Sequence, residues 1–153
     1  MKNLLDESAF KDTLHRIEQL RSDSINHWGK MTVNEMICHI SDPLRDILGI
    51  RITEPVTTPE MRPNLMVMLM VESDWAVNQP TFPPYLQGEG GGGTPPKGFD
   101  TDKKDLIDLV HRFYKTGEGF AFHPHAGLGM MSRNEFGEFL WKHTDHHLRS
   151  FGV

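Results

Sequence analysis

The stretch Lys142-His143-Thr144-Asp145-His146-His147-Leu148-Arg149 sets three imidazoles within five positions of a strongly helical segment. Residues four apart on an α-helix differ by about 40° in direction and about 6 Å in height. His143 and His147 therefore stack one turn apart on a single face. Taking His143 as the origin of a helical wheel, Phe136, Phe139, Leu140 and Phe151 all fall within about 80° of it. Those four residues form the apolar stripe, so His143 and His147 lie inside the face the helix must bury. His146 lies on its margin. Glu135, Glu138, Lys142 and Arg149 fall on the polar side, and Asp145 near the back, where a solvated surface charge is expected.

Inward imidazoles need partners, because burying a polar group unpaired costs a few kcal/mol. A divalent cation gripped from one helix face is one solution. Hydrogen bonds to neighbouring helices are the other, and the spacing alone leaves both open. The motif is not that of zincin proteases, which place a glutamate directly after the first histidine. Thr144 stands there instead.

The remainder of the chain limits the setting. Its 153 residues suffice for one domain, 1–153, with a sizeable core. A net charge of −5 with no basic run excludes nucleic acid as a standing partner. The single cysteine, Cys38, excludes a disulfide framework and suits a cytoplasmic home. The N-terminus lacks the apolar core of a signal peptide. The longest strongly apolar run, Leu65 to Val71, is too short to span a bilayer, so no membrane partner is expected.

Helical periodicity appears at residues 7–21, through Phe10, Leu14, Ile17 and Leu20. A capping box, Thr32 with Glu35, opens a second helix over 33–48, ended by Gly49 and loosened by the internal Pro43. A third is expected over 102–115, capped by Thr101. A second capping box, Ser132 with Glu135, opens a fourth over 133–150, with Gly152 as its stop. Between the second and third lies a long irregular excursion, 50–100, read as a surface feature. It holds a short helix within Met61–Trp75 and a glycine run, 90–93, that is no phosphate loop, since no Gly-Lys-Ser/Thr follows. Nothing alternates as a strand. The fold class expected is all-α, a four-helix bundle.

Two histidines do not complete a site, since catalytic zinc typically has three protein ligands and an open position. His39 on the second helix is the best third candidate. It shares a margin with Glu35, Asp42 and Asp46, about 100° from the apolar centre of that helix. A ligand at the mouth of a bundle and an ordinary exposed histidine both fit that placement. Asp42 or Asp46 as oxygen donor to iron, in a facial triad, is a variant. Glu35, Asp42 and Asp46 are also the nearest guesses for a general base, and no catalytic residue is assigned. His123 and His125 flank Pro124 and either sit near the site or order a turn, the turn being the favoured reading. Cys38 points away from His39 and reads as a buried structural thiol. His146 is left as a supporting or edge contact.

Trp28-Gly29-Lys30-Met31-Thr32, Met36 and His39, then His123-Pro124, Gly127, Met131-Ser132, Glu135-Phe136 and the 142–149 run with Phe151-Gly152, together resemble the DinB-like superfamily, and within it the group DUF1569. The resemblance covers about half the chain, on the second and fourth helices and their approaches. It implies a DinB-like four-helix bundle, often ordered up-down-down-up. It further implies a divalent metal ion (Zn, Ni, Fe or Mn) held by three histidines, here His39, His143 and His147. Characterised members of the family include S-transferases that use low-molecular-weight thiols. The expected function is thus a metal-dependent enzyme activating a small thiol, as a transferase, or water, as a hydrolase. The alternative is a non-catalytic metal-binding or interaction bundle. The expected partner is a small-molecule substrate, and a homodimer is left open.

Overall fold

The computed structural model describes residues 1–71 and 74–153, and among them the regular structure is helical apart from one antiparallel bridge, His125 to Gly129. Five α-helices occur in the order α1 (Glu7–Gln19), α2 (Val33–Ile47), α3 (Arg62–Leu69), α4 (Phe99–Tyr114) and α5 (Arg133–Ser150), with a 3-10 turn at Pro83–Tyr85. The fold is all-α. No helix among the described residues is long and apolar enough to cross a membrane.

The four longer helices each pack on two of the others: α1 on α4 and α5, and α2 on the same pair. Their shared core contains Phe10 and Ile17 from α1, Met36, Ile40, Leu44 and Ile47 from α2, Leu106, Val110 and Phe113 from α4, and Phe136, Phe139 and Leu140 from α5. Spacings of three and four residues put these side chains on one face of each helix, which is why the sequence periodicity finds them.

Both capping boxes form: Thr32 accepts from the Glu35 N–H and Ser132 from the Glu135 N–H, with each glutamate reaching back to its cap. Gly49, at φ +69°, ends α2 in a Schellman turn, where Ile50 N–H bonds to Arg45 C=O at 2.8 Å and Gly49 N–H to Asp46 C=O at 2.9 Å. Pro43 does not interrupt α2, which runs unbroken from Val33 to Ile47.

Several boundaries differ from expectation. α1 stops at Gln19, because Leu20 is already extended at its end. Lys103 on α4 then caps the exposed carbonyls of Glu18 and Leu20. α4 begins three residues earlier than expected, at Phe99. Its cap is Gly98 at φ +151°, a backbone that favours glycine, and the buried Asp102 carboxylate accepts from the N–H groups of Lys97 and Gly98, each at 3.0 Å. Thr101 therefore sits inside the first turn and caps nothing. The short helix expected within Met61–Trp75 occupies only Arg62–Leu69, and part of that stretch, residues 72–73, lies outside the described residues.

The 50–98 segment is the long irregular surface excursion expected, exposed or half-buried at every described residue but Tyr85, yet it is tied down. Polar side chains tie it to α2. Arg51 contacts Asp46 Oδ1 at 2.9 Å and Asp42 Oδ2 at 3.1 Å, and donates to Pro84 C=O at 2.8 Å. Thr94 N–H donates to Asp42 at 2.8 Å. Tyr85 is 2% exposed, and its hydroxyl donates to Asp46 Oδ2 at 2.9 Å while accepting from Ala126 N–H at 3.0 Å. At the far end, Leu69 C=O accepts from both Trp75 Nε1 at 2.9 Å and Lys142 Nζ at 3.1 Å, and Lys142 also bonds Val71 C=O. Folded back in this way, the segment roofs the C-terminal half of α5 and leaves a cavity beneath it.

Candidate metal centre

His143 and His147 project one turn apart from α5, and His39 meets them from α2. Their ligating nitrogens all lie within 4.8 Å of one another. The three rings are mutually edge-on: centroids are 4.9 Å apart for His39 and His143, 4.6 Å for His39 and His147, and 4.8 Å for His143 and His147. His39 and His143 bring their Nε2 atoms to 3.0 Å. Two imidazole nitrogens bound tetrahedrally to one zinc at about 2.0–2.1 Å stand about 3.3 Å apart. The observed separation is close to that.

Packing explains the aim of each ring. His39 is 3% exposed, so it is no surface histidine. Its Nδ1–H donates to Tyr85 C=O at 2.8 Å, which leaves Nε2 as the nitrogen with a free lone pair. His143 stacks on Phe139 at 5.6 Å and lies near Trp75 at 5.9 Å. Burial is the first cause that lowers the pKa of His39, and it drives His143 and His147 well below the usual histidine value, with neighbouring imidazoles adding to the effect. All three rings are neutral at pH 7, the state in which imidazole ligates metal.

Hydrogen bonding alone serves this cluster poorly. With the His39 proton committed to Tyr85, His143 Nε2–H is the donor in the one ring-to-ring bond. His143 Nδ1 is then a buried acceptor with no partner among the described residues. Neither ring nitrogen of His147 has a hydrogen-bond partner there either. Three neutral imidazoles with converging nitrogens and little mutual hydrogen bonding fit a divalent cation of the zinc, nickel, iron or copper class.

A cavity of about 800 Å³ opens onto the trio, lined by Trp28, Lys30, Met31, Glu35, Leu65, Met68, Trp75, Phe82, Tyr85, His125, Phe139 and His146 among others. His146 is buried, sits edge-on to His147 at 5.1 Å and lies between Trp28 and Trp75. It is outside the convergent trio, as the wheel expects. No fourth His, Cys, Asp or Glu joins the three among the described residues.

Other expectations fail here for physical reasons. Asp42 and Asp46 do face the His39 margin, but both are buried and consumed by Arg51, Thr94, Thr53 and Tyr85. Neither serves as an oxygen ligand or a free base. Glu35 lines the cavity, yet its carboxylate accepts from the Thr32 N–H and hydroxyl as a helix cap. Asp145 is no solvated charge. It pairs with Arg16 at 2.7 Å and Arg149 at 3.0 Å, joining α1 to α5. Lys142 is buried beneath the end of α3 instead of facing water. His125 orders its turn as expected, accepting from Gly127 and Leu128 N–H, but it also reaches the cavity wall. His123 is exposed, its N–H bonding Ile47 C=O.

Sequence reasoning missed Tyr85, Phe82 and the two wall tryptophans. Pro83-Pro84-Tyr85 signals a tight turn, but nothing local says that the turn docks on His39. No known protein family, curated protein or solved structure matches the chain. The site's own geometry and chemistry must therefore identify its role.

Proposed function

We propose that this chain is a DinB-like four-helix-bundle metalloprotein in which His39, His143 and His147 hold a divalent cation, and that it is an enzyme acting on a small molecule in the adjoining cavity. The observation that carries the proposal is the convergence of three neutral imidazoles from two helices, His39 and His143 buried and His147 half-buried, at the floor of a cavity of about 800 Å³. A structural metal site is usually closed by four protein ligands, and a catalytic one keeps a position open. Three ligands beside a cavity support the second type.

When bound, such a cation lowers the pKa of a coordinated water or thiol by several units, supplying a nucleophile at neutral pH. The chain's own groups do the rest. Tyr85 C=O fixes the His39 tautomer, Phe139 and Trp75 pack against the His143 ring, and the cavity receives the reactant. S-transfer from a small thiol ranks ahead of hydrolysis because the DinB-like resemblance points that way. Glu35 is the one carboxylate lining the cavity among the described residues, and it is engaged as the Thr32 cap, so no free base is assigned.

Metal content tests the reading. Protein purified without a histidine tag carries about one equivalent of metal by elemental analysis. His143→Ala and His147→Ala each lose it, while His146→Ala retains it. Equal loss in all three variants contradicts the assignment. Turnover is sought by pairing small thiols with electrophiles in the presence of Zn, Ni, Mn or Fe. Silence with every metal would move the protein to the non-catalytic class.

A further inference from the structure

His125 lines the cavity but takes no part in the histidine trio. It is 1% exposed, and its Nδ1 accepts two backbone bonds, from Gly127 N–H at 3.1 Å and Leu128 N–H at 3.0 Å. A ring nitrogen that accepts two N–H bonds carries the lone pair, so the ring proton of neutral His125 is on Nε2. That Nε2–H has no acceptor among the described residues. Burial pushes the His125 pKa down to about 3, so at neutral pH the ring offers one fixed donor and no charge.

Its surroundings are aromatic. Tyr85 and Phe139 lie at 4.9 Å and Phe82 at 5.8 Å. His143 stacks on the same Phe139 ring, so a group held by His125 lies beside the trio. Among the described residues, Lys30 and Glu35 are the only acidic or basic side chains other than histidine in the cavity wall, and Glu35 is engaged as a helix cap. Away from Lys30 and the histidine trio, such a wall offers a charged ligand little to replace its lost hydration.

We propose that His125 is a ligand-orienting hydrogen-bond donor, and that the cavity takes an uncharged, mainly apolar molecule bearing a carbonyl-type oxygen that accepts from the His125 Nε2–H. The inference rests on the cavity being the working site of the metal centre. Binding of a ketone can nevertheless be read with or without a cation, so the two readings fail separately.

The probes are acetophenone and ethylbenzene, which share shape and differ by the oxygen. Binding to the full chain, chelator-treated and zinc-loaded, is followed through quenching of the wall tryptophans Trp28 and Trp75 and by calorimetry. The ketone should bind about tenfold more tightly than the hydrocarbon to both forms, the scale of one buried hydrogen bond. His125→Asn keeps an acceptor where Nδ1 stood, so the turn persists, but its amide N–H groups stop short of the Nε2 position, so the donor is lost there. In that variant the preference should fall to about twofold or less with the thermal midpoint little changed. Should His125→Asn fail to fold, long-range proton–nitrogen NMR of the wild-type histidines decides. The His125 Nε2 resonance should move with acetophenone and not with ethylbenzene. Equal affinities in the wild type, a preference that survives His125→Asn, binding of neither probe, or an unmoved Nε2 resonance would each overturn the proposal. Ketone binding in protein that takes up no metal would leave His125 in this role and remove the metal centre instead.

Discussion

At the scale of single residues, the one cysteine, next in sequence to His39, is held inert. Cys38 precedes His39 but points into the core, 1% exposed, and its thiol is pushed up to about 12, by burial first and then by the nearby Asp102 carboxylate. A thiol with that pKa is about 10³-fold less ionised at pH 8 than a free cysteine, before any loss of access is counted. Iodoacetamide should therefore label the native chain at pH 8 at least that much more slowly than a small thiol, and at full speed in denaturant. Rapid labelling of the folded protein would place Cys38 within reach of substrate. An inert Cys38 means that any sulfur transferred here arrives on a bound thiol. The sequence exposes part of this residue's role, because one helical step of about 100° turns it away from His39, while its burial, on the side away from Met36, Ile40, Leu44 and Ile47, comes from tertiary packing. Asp42, Asp46 and Asp145 were not legible in the same way. A wheel gives the direction of a carboxylate, while its availability depends on Arg51, Thr94 and Arg16, which arrive from other elements.

At the scale of elements, the 83–85 turn is the piece on which the site's geometry depends. One residue, Tyr85, joins three elements: its carbonyl orients His39 on α2, and its hydroxyl bridges Asp46 on α2 and Ala126 in the connector before α5. Tyr85→Phe deletes the hydroxyl and keeps the carbonyl. It leaves Ala126 N–H and one Asp46 oxygen short of a partner, at a cost of about 1–3 kcal/mol in stability by urea denaturation. With the turn loosened, zinc affinity by competition with a chelating dye should fall about tenfold or more, the scale seen when a partner of a ligating histidine is lost. Unchanged affinity alongside reduced stability would confine Tyr85 to holding the fold. Elements of this kind resist sequence reading for a definable reason. Both capping boxes and the Gly49 and Gly152 stops are local signals, and they mark α2 and α5 to within a residue. The 50–98 segment is held by polar contacts 33 to 52 residues apart in sequence, such as Arg51 to Pro84 and Thr94 to Asp42, with no periodicity to betray them. The early start of α4 belongs to the same class, since the Asp102 reach-back to Gly98 imitates no common cap motif.

For the whole molecule, packing five imidazoles around one cavity makes folding depend on pH and on metal in separable ways. His39, His125, His143, His146 and His147 all titrate below the ordinary histidine value of 6.5 in the folded chain, burial being the first cause in each. Below pH 6.5 the unfolded chain takes up protons that these folded rings refuse. Their contribution is therefore complete above 6.5 and is lost as pH falls, by up to about 1.4 kcal/mol per pH unit for each ring. For His125 the loss continues down to about pH 3. Asp46, whose pKa is raised mainly by burial, acts with the opposite sign, its contribution being full below the ordinary carboxylate value and lost as pH rises through its folded pKa, so the five imidazoles dominate a comparison between pH 7.5 and 5.5. The chelator-treated protein should have a clearly lower urea midpoint at pH 5.5 than at pH 7.5. Zinc at a hundredfold its dissociation constant should add about 2.7 kcal/mol at pH 7.5 and nothing in His143→Ala. Because burial holds the folded rings below the ordinary histidine pKa, protons compete for them less than for free imidazoles, and the zinc increment at fixed free zinc should fall less between pH 7.5 and 5.5 than exposed ligands would give. Three solvent-exposed histidines would instead lose most of their affinity over those two pH units. A midpoint indifferent to pH would mean that the imidazoles are not buried as a group, and an increment equal in wild type and His143→Ala would place the zinc elsewhere on the chain.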